Sequence, residues 1–190
     1  MKATEILMQE HVLILEVLDA LERGAQKLGS GEDTPKDFFI DAAEFIRGFA
    51  DDTHHKKEEG VLFKALAQYG FSPDAGPVAV MLSEHEEARH YTRALTAAAQ
   101  KLHGGDAGAR EDVIMYALSY VRHLRQHIMK ENNILFPMAD RVVPSDEAAR
   151  IEADFERVER DEIGPGAHPK YQALARKLRD QMSEERRAKA

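Results

Sequence analysis

The sequence predicts an all-α protein, an up-down-up-down four-helix bundle with two short additional C-terminal helices. Three observations support this class. Apolar residues recur with a period close to 3.6 in four long stretches, which indicates amphipathic helices. No stretch alternates apolar and polar residues for long enough to form a sheet. Short turn-forming segments separate the stretches, as in antiparallel bundles.

Turn and capping signals set the expected helix boundaries. The first helix stops at the Gly-Ser-Gly of residues 29–31, and Thr34-Pro35 opens the second as an N-cap followed by proline. A Gly- and Pro-rich turn at 70–77 and Gly104-Gly105 separate the later helices, and Pro137 is expected to disturb the end of the fourth. The four long helices are thus expected at about 4–28, 35–69, 77–102 and 109–134.

Two shorter helices follow, at about 146–160 and from about 169, with a Gly-Pro-Gly turn at 164–166 between them. We therefore expect two parts, a four-helix bundle over residues 1–143 and a helical extension over 144–190 packed on it. The charged surface of the extension suits either a solvated cap or the contact of a homodimer.

The composition excludes several classes of function. A net charge of −8 argues against a nucleic-acid partner, because such proteins need clustered Lys and Arg. The absence of Cys excludes disulfides, thiolate metal sites and Cys nucleophiles. No apolar run approaches the length of about 18 residues that a membrane span needs, so we expect a cytoplasmic protein without a membrane partner. Nine His are the unusual feature.

One motif occurs twice. His54 precedes Glu58 and His127 precedes Glu131 by four residues, and each motif continues into a Val/Ile-Leu-Phe segment. Residues four apart on a helix lie about 40° from one another, so each His and Glu project from one face. This arrangement suits a metal site inside a helical bundle.

The other two helices contribute one His each, His11 and His85. The spacings from His11 to His54 and from His85 to His127 are 43 and 42 residues, so the chain reads as two copies of one helical hairpin. Antiparallel packing of each hairpin brings its two His to the same height. The predicted metal ligands are His11, His54, Glu58, His85, His127 and Glu131.

Four imidazoles and two carboxylates without thiolates suit iron, manganese or zinc, and the bundle favours iron. Two octahedral ions need about twelve positions, of which four imidazoles, two bridging carboxylates and a bridging oxide or hydroxide fill about ten. Two positions stay open, so the predicted centre is reactive rather than structural.

These motifs, with the HHKKEEGVLF, GPVAVMLSEHEEARHY and HIMKENNILFPMADR segments, resemble the hemerythrin-like (HHE cation-binding) family over about residues 1–143. The resemblance implies a non-haem di-iron centre, oxo- or hydroxo-bridged, with Glu58 and Glu131 as bridges. Members bind or react with dioxygen, nitric oxide or peroxide, or handle and sense iron. Oxygen-carrying members have a further His where this chain has Arg89, so an oxygen carrier is less favoured.

Several neighbouring residues leave alternatives open. The repeat favours His54 and Glu58 over His55 and Glu59, which project about 100° further round and are expected beside the ligands or at the surface. Arg89 either orients a carboxylate or anion, or extends to the rim. His90 replaces a ligand only if its helix is distorted, and His123 is expected beside the site.

Three functions fit this sequence: binding or sensing of a small diatomic ligand or peroxide, reduction of nitric oxide or peroxide by a stress-protection enzyme, and iron storage or homeostasis. Repair of iron–sulfur clusters belongs with the second, although relatives with that role usually carry an additional Cys-containing domain. The sequence does not separate catalysis from binding.

Overall fold

A computed structural model describes residues 2–164 and 166–183, and the prediction of an all-α protein is confirmed for them because none lies in a strand. Residue 165 of the predicted turn and residues 184–190 of the predicted extension lie outside the described residues. The described part has six helices of more than one turn, α1 (Lys2–Ser30), α2 (38–67), α3 (Pro77–His103), α4 (110–142), α5 (145–163) and α6 (Ala167–Ser183), and a short 3-10 helix at Ala107–Ala109.

The first four helices pack with neighbouring helices antiparallel. Between α1 and α4, the Arg110 guanidinium donates hydrogen bonds to the Leu28 carbonyl oxygen at one end of the pair. His11 and Asn132 are hydrogen-bonded near the other end. Along α2 and α3, His103 contacts the Lys36 carbonyl just before α2 begins, while His85 contacts Glu59 late in α2. The predicted helix positions therefore agree with the contacts between the helices.

Helices α2 and α4 contain π-helical turns, which the sequence analysis did not anticipate. These turns cover Ile46–His55 and Glu58–Leu62 in α2, and Glu131–Leu135 in α4. Their i→i+5 hydrogen bonds change the angle between successive side chains. The fourth helix does not end at about residue 134 as predicted but continues to Val142, and the π turn Glu131–Leu135 interrupts its regular α-helical hydrogen bonding just before Pro137. Pro137 follows the π turn, where the hydrogen-bond register changes and a missing N–H is tolerated.

The buried apolar residues form two separate cores. One core is centred on Leu18, Phe45 and Leu124, and the other on Leu7, Leu62 and Phe136. The predicted metal ligands lie in the layer between these cores, so apolar side chains enclose them from both ends of the bundle.

Helices α5 and α6 pack on α1 and α2 and complete both cores. Phe155 of α5 belongs to the core around Leu7, and Leu178 of α6 to the core around Leu18. Close packing requires glycine at position 48, since a Cβ there would lie 1.8 Å from the hydroxyl oxygen of Tyr171. Within the described residues, no helix combines the length and apolar character needed to cross a membrane.

Candidate metal centre

The structure brings all six predicted ligands together in the layer between the two cores. Each of them is at most 1% exposed. They come from all four long helices, His11 from α1, His54 and Glu58 from α2, His85 from α3, and His127 and Glu131 from α4. Burial of imidazoles and carboxylates costs free energy of desolvation, which binding to a common partner would offset.

The Nε2 atoms of the imidazoles converge on the two carboxylates. Glu58 lies between two of them, with Oε1 3.4 Å from His54 Nε2 and Oε2 3.4 Å from His85 Nε2. Glu131 lies in the same way between His11 Nε2, at 3.2 Å, and His127 Nε2, at 3.1 Å. Each carboxylate therefore presents its two oxygens to imidazoles of two different helices, as a bridging ligand must.

His55 is buried against the cluster, so of the two positions expected for it the surface is wrong and it lies beside the predicted ligands. Its side chain is 2% exposed, and its ring stacks on that of His85 with centroids 3.8 Å apart. His55 ends the π-helical turn Ile46–His55, in which the angle between successive side chains is smaller than the 100° of an α-helix, and this favours burial of both His54 and His55. The His-His doublet was the signal in the sequence.

Two overlapping sets of atoms could each hold an ion. One set is His55, Glu58, His85 and His127, the other is His11, His54, Glu58 and Glu131, and within each set the ligand atoms lie within 4.8 Å of one another. Glu58 belongs to both. The cluster thus offers an adjacent pair of positions, one with three imidazoles and one with two.

Unpaired polar atoms mark the centre of the cluster. The Nε2 atoms of His11 and His54 and all four carboxylate oxygens of Glu58 and Glu131 are buried without a hydrogen-bond partner. An unsatisfied buried group costs about 1–3 kcal/mol. Every one of these atoms is a good ligand for iron, manganese or zinc, so the residues present fit a pair of metal ions.

Each of the five imidazoles makes a contact through its other ring nitrogen, Nδ1. The partner oxygens lie 2.6–3.3 Å from Nδ1 and come from Asn132 for His11, Glu10 for His54, Asp51 for His55, Glu59 for His85 and Glu84 for His127. Four of these partners are carboxylates, which accept an Nδ1–H hydrogen bond and leave Nε2 free for a metal. All five rings are therefore held with Nε2 facing inward.

Two lysines hold two of these carboxylates. Lys57 donates to Glu10 Oε1 and Lys130 donates to Glu84 Oε1, while Oε2 of each Glu is 2.9 Å from the Nδ1 of its His. Lys57 also donates to Glu159 of α5 at 2.6 Å and is fully buried. A third group of candidate ligands, which includes Glu10 and Glu159, is thus already bridged by the Lys57 ammonium group.

Of the two alternatives for Arg89, the structure shows an Arg bound to carboxylates that are not the predicted bridges. It donates to Asp51 at 2.8 Å and to Glu59 at 2.7 Å, and thereby links the partners of His55 and His85. His123 lies beside the site, where its Nε2 contacts the Glu84 carbonyl oxygen at 2.8 Å. His90 is exposed on α3 and contacts Tyr91.

The environment keeps most of the imidazoles neutral and therefore able to bind a metal. Burial lowers the pKa of His54 to about 3, with a further contribution from the neighbouring His11. Burial also lowers the pKa values of His55 and His85. For His127, burial acts in the same direction, but the Glu131 carboxylate outweighs it and raises the pKa to about 9.

The pKa values of the two central carboxyl groups, Glu58 and Glu131, are shifted in opposite directions. Burial, reinforced by the charge of Glu131, raises the pKa of Glu58 well above its usual range. Burial acts in the same direction on Glu131, but the neighbouring His127 lowers its pKa well below that range. Of the two carboxyl groups, Glu131 is therefore the one that ionises more readily.

The helical fold and this buried cluster of His and Glu are the features expected of a bundle protein with a cation site. The chain belongs to the hemerythrin HHE cation-binding domain family, whose model matches residues 2–139. The resemblance seen in the sequence is thereby confirmed.

The relatives include proteins with and without an assigned role. The uncharacterized protein Rv1995 of Mycobacterium tuberculosis (strain H37Rv) is 26% identical over 94% of this chain and 68% of its own length. The iron-sulfur cluster repair protein YtfE of Escherichia coli O81 is 34% identical, over 46% of this chain and 40% of its own length. No solved structure matches the chain.

Proposed function

We propose that residues 1–143 form an up-down-up-down bundle around a non-haem di-iron centre that binds, senses or reacts with dioxygen, nitric oxide or peroxide, and that residues 144–190 extend it. The unpaired atoms of His11, His54, Glu58 and Glu131 carry this proposal. Two adjacent ions would satisfy all six atoms at once. Manganese or zinc would fit the same ligands.

The ligands would be divided between the two ions. His55, His85 and His127 would hold one ion and His11 and His54 the other, with Glu58 and Glu131 as bridges. When bound, a di-iron pair supplies an exchangeable coordination position and electrons for a small ligand. Five imidazoles, two bridging carboxylates and one bridging oxygen fill about eleven of twelve octahedral positions. The ion with two imidazoles would therefore have the open position.

The apolar residues next to the cluster would exclude water. Leu62 is fully buried and Ile128 is 3% exposed. Apolar surroundings of this kind admit a small neutral molecule more readily than a hydrated ion, because desolvation of an ion costs far more. Because the net charge is −8, we propose no nucleic acid as partner; we also propose a cytoplasmic protein without a membrane partner.

The similarity to YtfE favours a second candidate. YtfE is an iron-sulfur cluster repair protein, and its aligned region covers 89 residues of this chain. A di-iron stress-protection enzyme that reduces nitric oxide or peroxide, or helps to repair iron–sulfur clusters, would use the same ligands. Iron storage without turnover is the third candidate.

Metal analysis joined to anaerobic optical titration separates these functions. The chain should hold two iron ions, and reversible spectral changes with dioxygen or nitric oxide would support binding or sensing. Repeated turnover of peroxide or nitric oxide with a reductant would support an enzyme, and more than two irons per chain would support storage. A protein that binds no iron, manganese or zinc would refute the metal centre.

A further inference from the structure

The internal repeat of the chain includes a feature outside the proposed ligands. In each half, a Glu uses Oε2 to accept a hydrogen bond from the Nδ1 of a His and Oε1 to accept one from a Lys. The two sets are His54–Glu10–Lys57 and His127–Glu84–Lys130. The atoms correspond one to one, and each Lys lies three residues after its His. We call each set a buttress.

The two buttresses end differently. Lys130 is 30% exposed, so water solvates the outer end of its buttress. Lys57 is fully buried, and α5 covers it with Glu159, at 2.6 Å, and with the Phe155 ring, whose centroid is 5.9 Å from Nζ. The chain of contacts in the first half therefore continues from His54 through Glu10 and Lys57 to Glu159.

We propose that the C-terminal extension is part of the machinery that holds the metal. Glu159 positions Lys57, Lys57 positions Glu10, and Glu10 orients His54 toward the centre. The extension thereby controls how tightly the ion with two imidazoles is bound. The affinity for the ion with three imidazoles depends instead on the His127–Glu84–Lys130 buttress, whose Lys is exposed to solvent. This inference rests on the proposed metal centre.

Burial makes the first buttress the more sensitive one. Loss of the Lys57 ammonium group leaves Glu10, which is 4% exposed, without the charge that balances it and bonded only to the Nδ1–H of the neutral His54. Loss of Lys130 leaves Glu84, which is 18% exposed and can be hydrated instead. Buried charges that lose a partner are far more costly than exposed ones.

A neighbouring ion pair provides matched controls. Lys56 on α2 pairs with Glu162 on α5 at 2.7 Å, and the two side chains are 43% and 49% exposed. This pair joins the same two helices but contacts none of the five imidazoles. Lys56→Met and Glu162→Gln therefore remove a link between bundle and extension without touching a buttress.

The test measures zinc affinity of the full chain by competition with a chelator. Loss of the partner of a ligand typically weakens metal binding by about 10–100-fold. Glu10 is that partner of His54, and Lys57 and Glu159 lie one and two contacts beyond it. Lys57→Met should therefore weaken binding of one of the two zinc ions by up to about that factor, and Glu159→Gln by a smaller but measurable factor. Lys130→Met should weaken zinc binding less than Lys57→Met does. Lys56→Met and Glu162→Gln should bind both ions as the unsubstituted protein does.

NMR of the zinc-loaded protein tests positioning separately from stability. The Nδ1–H resonance of His54 should shift in Lys57→Met and Glu159→Gln, while that of His127 should stay unchanged. Glu159 is 40% exposed, so Glu159→Gln should fold even if Lys57→Met does not.

Equal affinity in Glu159→Gln and Glu162→Gln, or an unmoved His54 resonance in Glu159→Gln, would overturn the inference while two zinc ions remain bound. Failure of the unsubstituted protein to bind two ions would instead refute the proposed function.

Discussion

His55 distinguishes a centre with five imidazoles from the four-imidazole centre that the sequence predicts. The substitution His55→Gln removes a ring that is 2% exposed and belongs to the three-imidazole set. Loss of a direct ligand should cost more than loss of a ligand's partner, which is about 10–100-fold. We expect one of the two ions to bind at least about 100-fold more weakly, or about 2.7 kcal/mol.

The assay compares metal content and chelator competition for His55→Gln and three further single substitutions. His54→Gln should weaken the binding of one ion whether the centre has four imidazoles or five. His90→Gln is the matched control, because His90 is exposed on α3 and lies outside both sets of ligands. Asp51→Asn, which removes the partner charge of His55, should have an effect between those of His55→Gln and His90→Gln.

The decisive comparison is between His55→Gln and His90→Gln. If both retain two ions with the affinity of the unsubstituted protein while His54→Gln does not, His55 is not a ligand. Melting of the metal-free variants provides the folding control, since a Gln in this buried position also loses the stacked contact with His85.

Three further predictions concern stability. Metal at about 100 times its Kd should stabilise the protein by about 2.7 kcal/mol and raise the Tm by about 5–10 °C, and an unchanged Tm after chelation would contradict the linkage. Gly48→Ala should lower the free energy of unfolding by about 1–3 kcal/mol because its Cβ meets Tyr171, whereas Gly60→Ala has open space and should not be destabilising; equal melting curves would contradict this packing. The metal-free protein should lose stability as the pH falls below 6.5, because His54 has a pKa of about 3 when folded and 6.5 when unfolded. His54 should contribute a slope of about 1.4 kcal/mol per pH unit to the free energy of unfolding. Denaturant titrations at several pH values measure this slope, and an unchanged slope in His54→Gln would contradict the contribution of His54.

The fold was predictable because its signals are local. Helical periodicity and turn residues depend only on neighbours in sequence, and they placed the ends of α1 and α3 within two residues of Ser30 and His103. The π turns were not predictable in this way. They depend on packing of the whole helix, and no residue pattern at Ile46–His55 distinguishes them from an α-helix.

The candidate site was predictable to the extent that it follows the repeat. The two His-x-x-x-Glu motifs gave Glu58 and Glu131, which the structure places between the imidazoles. His55 was missed because its direction depends on the π turn. Glu10 and Glu84 stand beside His11 and His85 in sequence, yet each holds a His of another helix, and only tertiary packing reveals those pairs.

The central claim is that the buried cluster holds two adjacent metal ions. Anomalous X-ray scattering at the iron edge, from crystals of the iron-loaded protein, tests it most directly. The account predicts two peaks per chain, each at about 2.0–2.2 Å from an oxygen of Glu58. A single peak, no peak between Glu58 and Glu131, or iron bound only at the surface would contradict it.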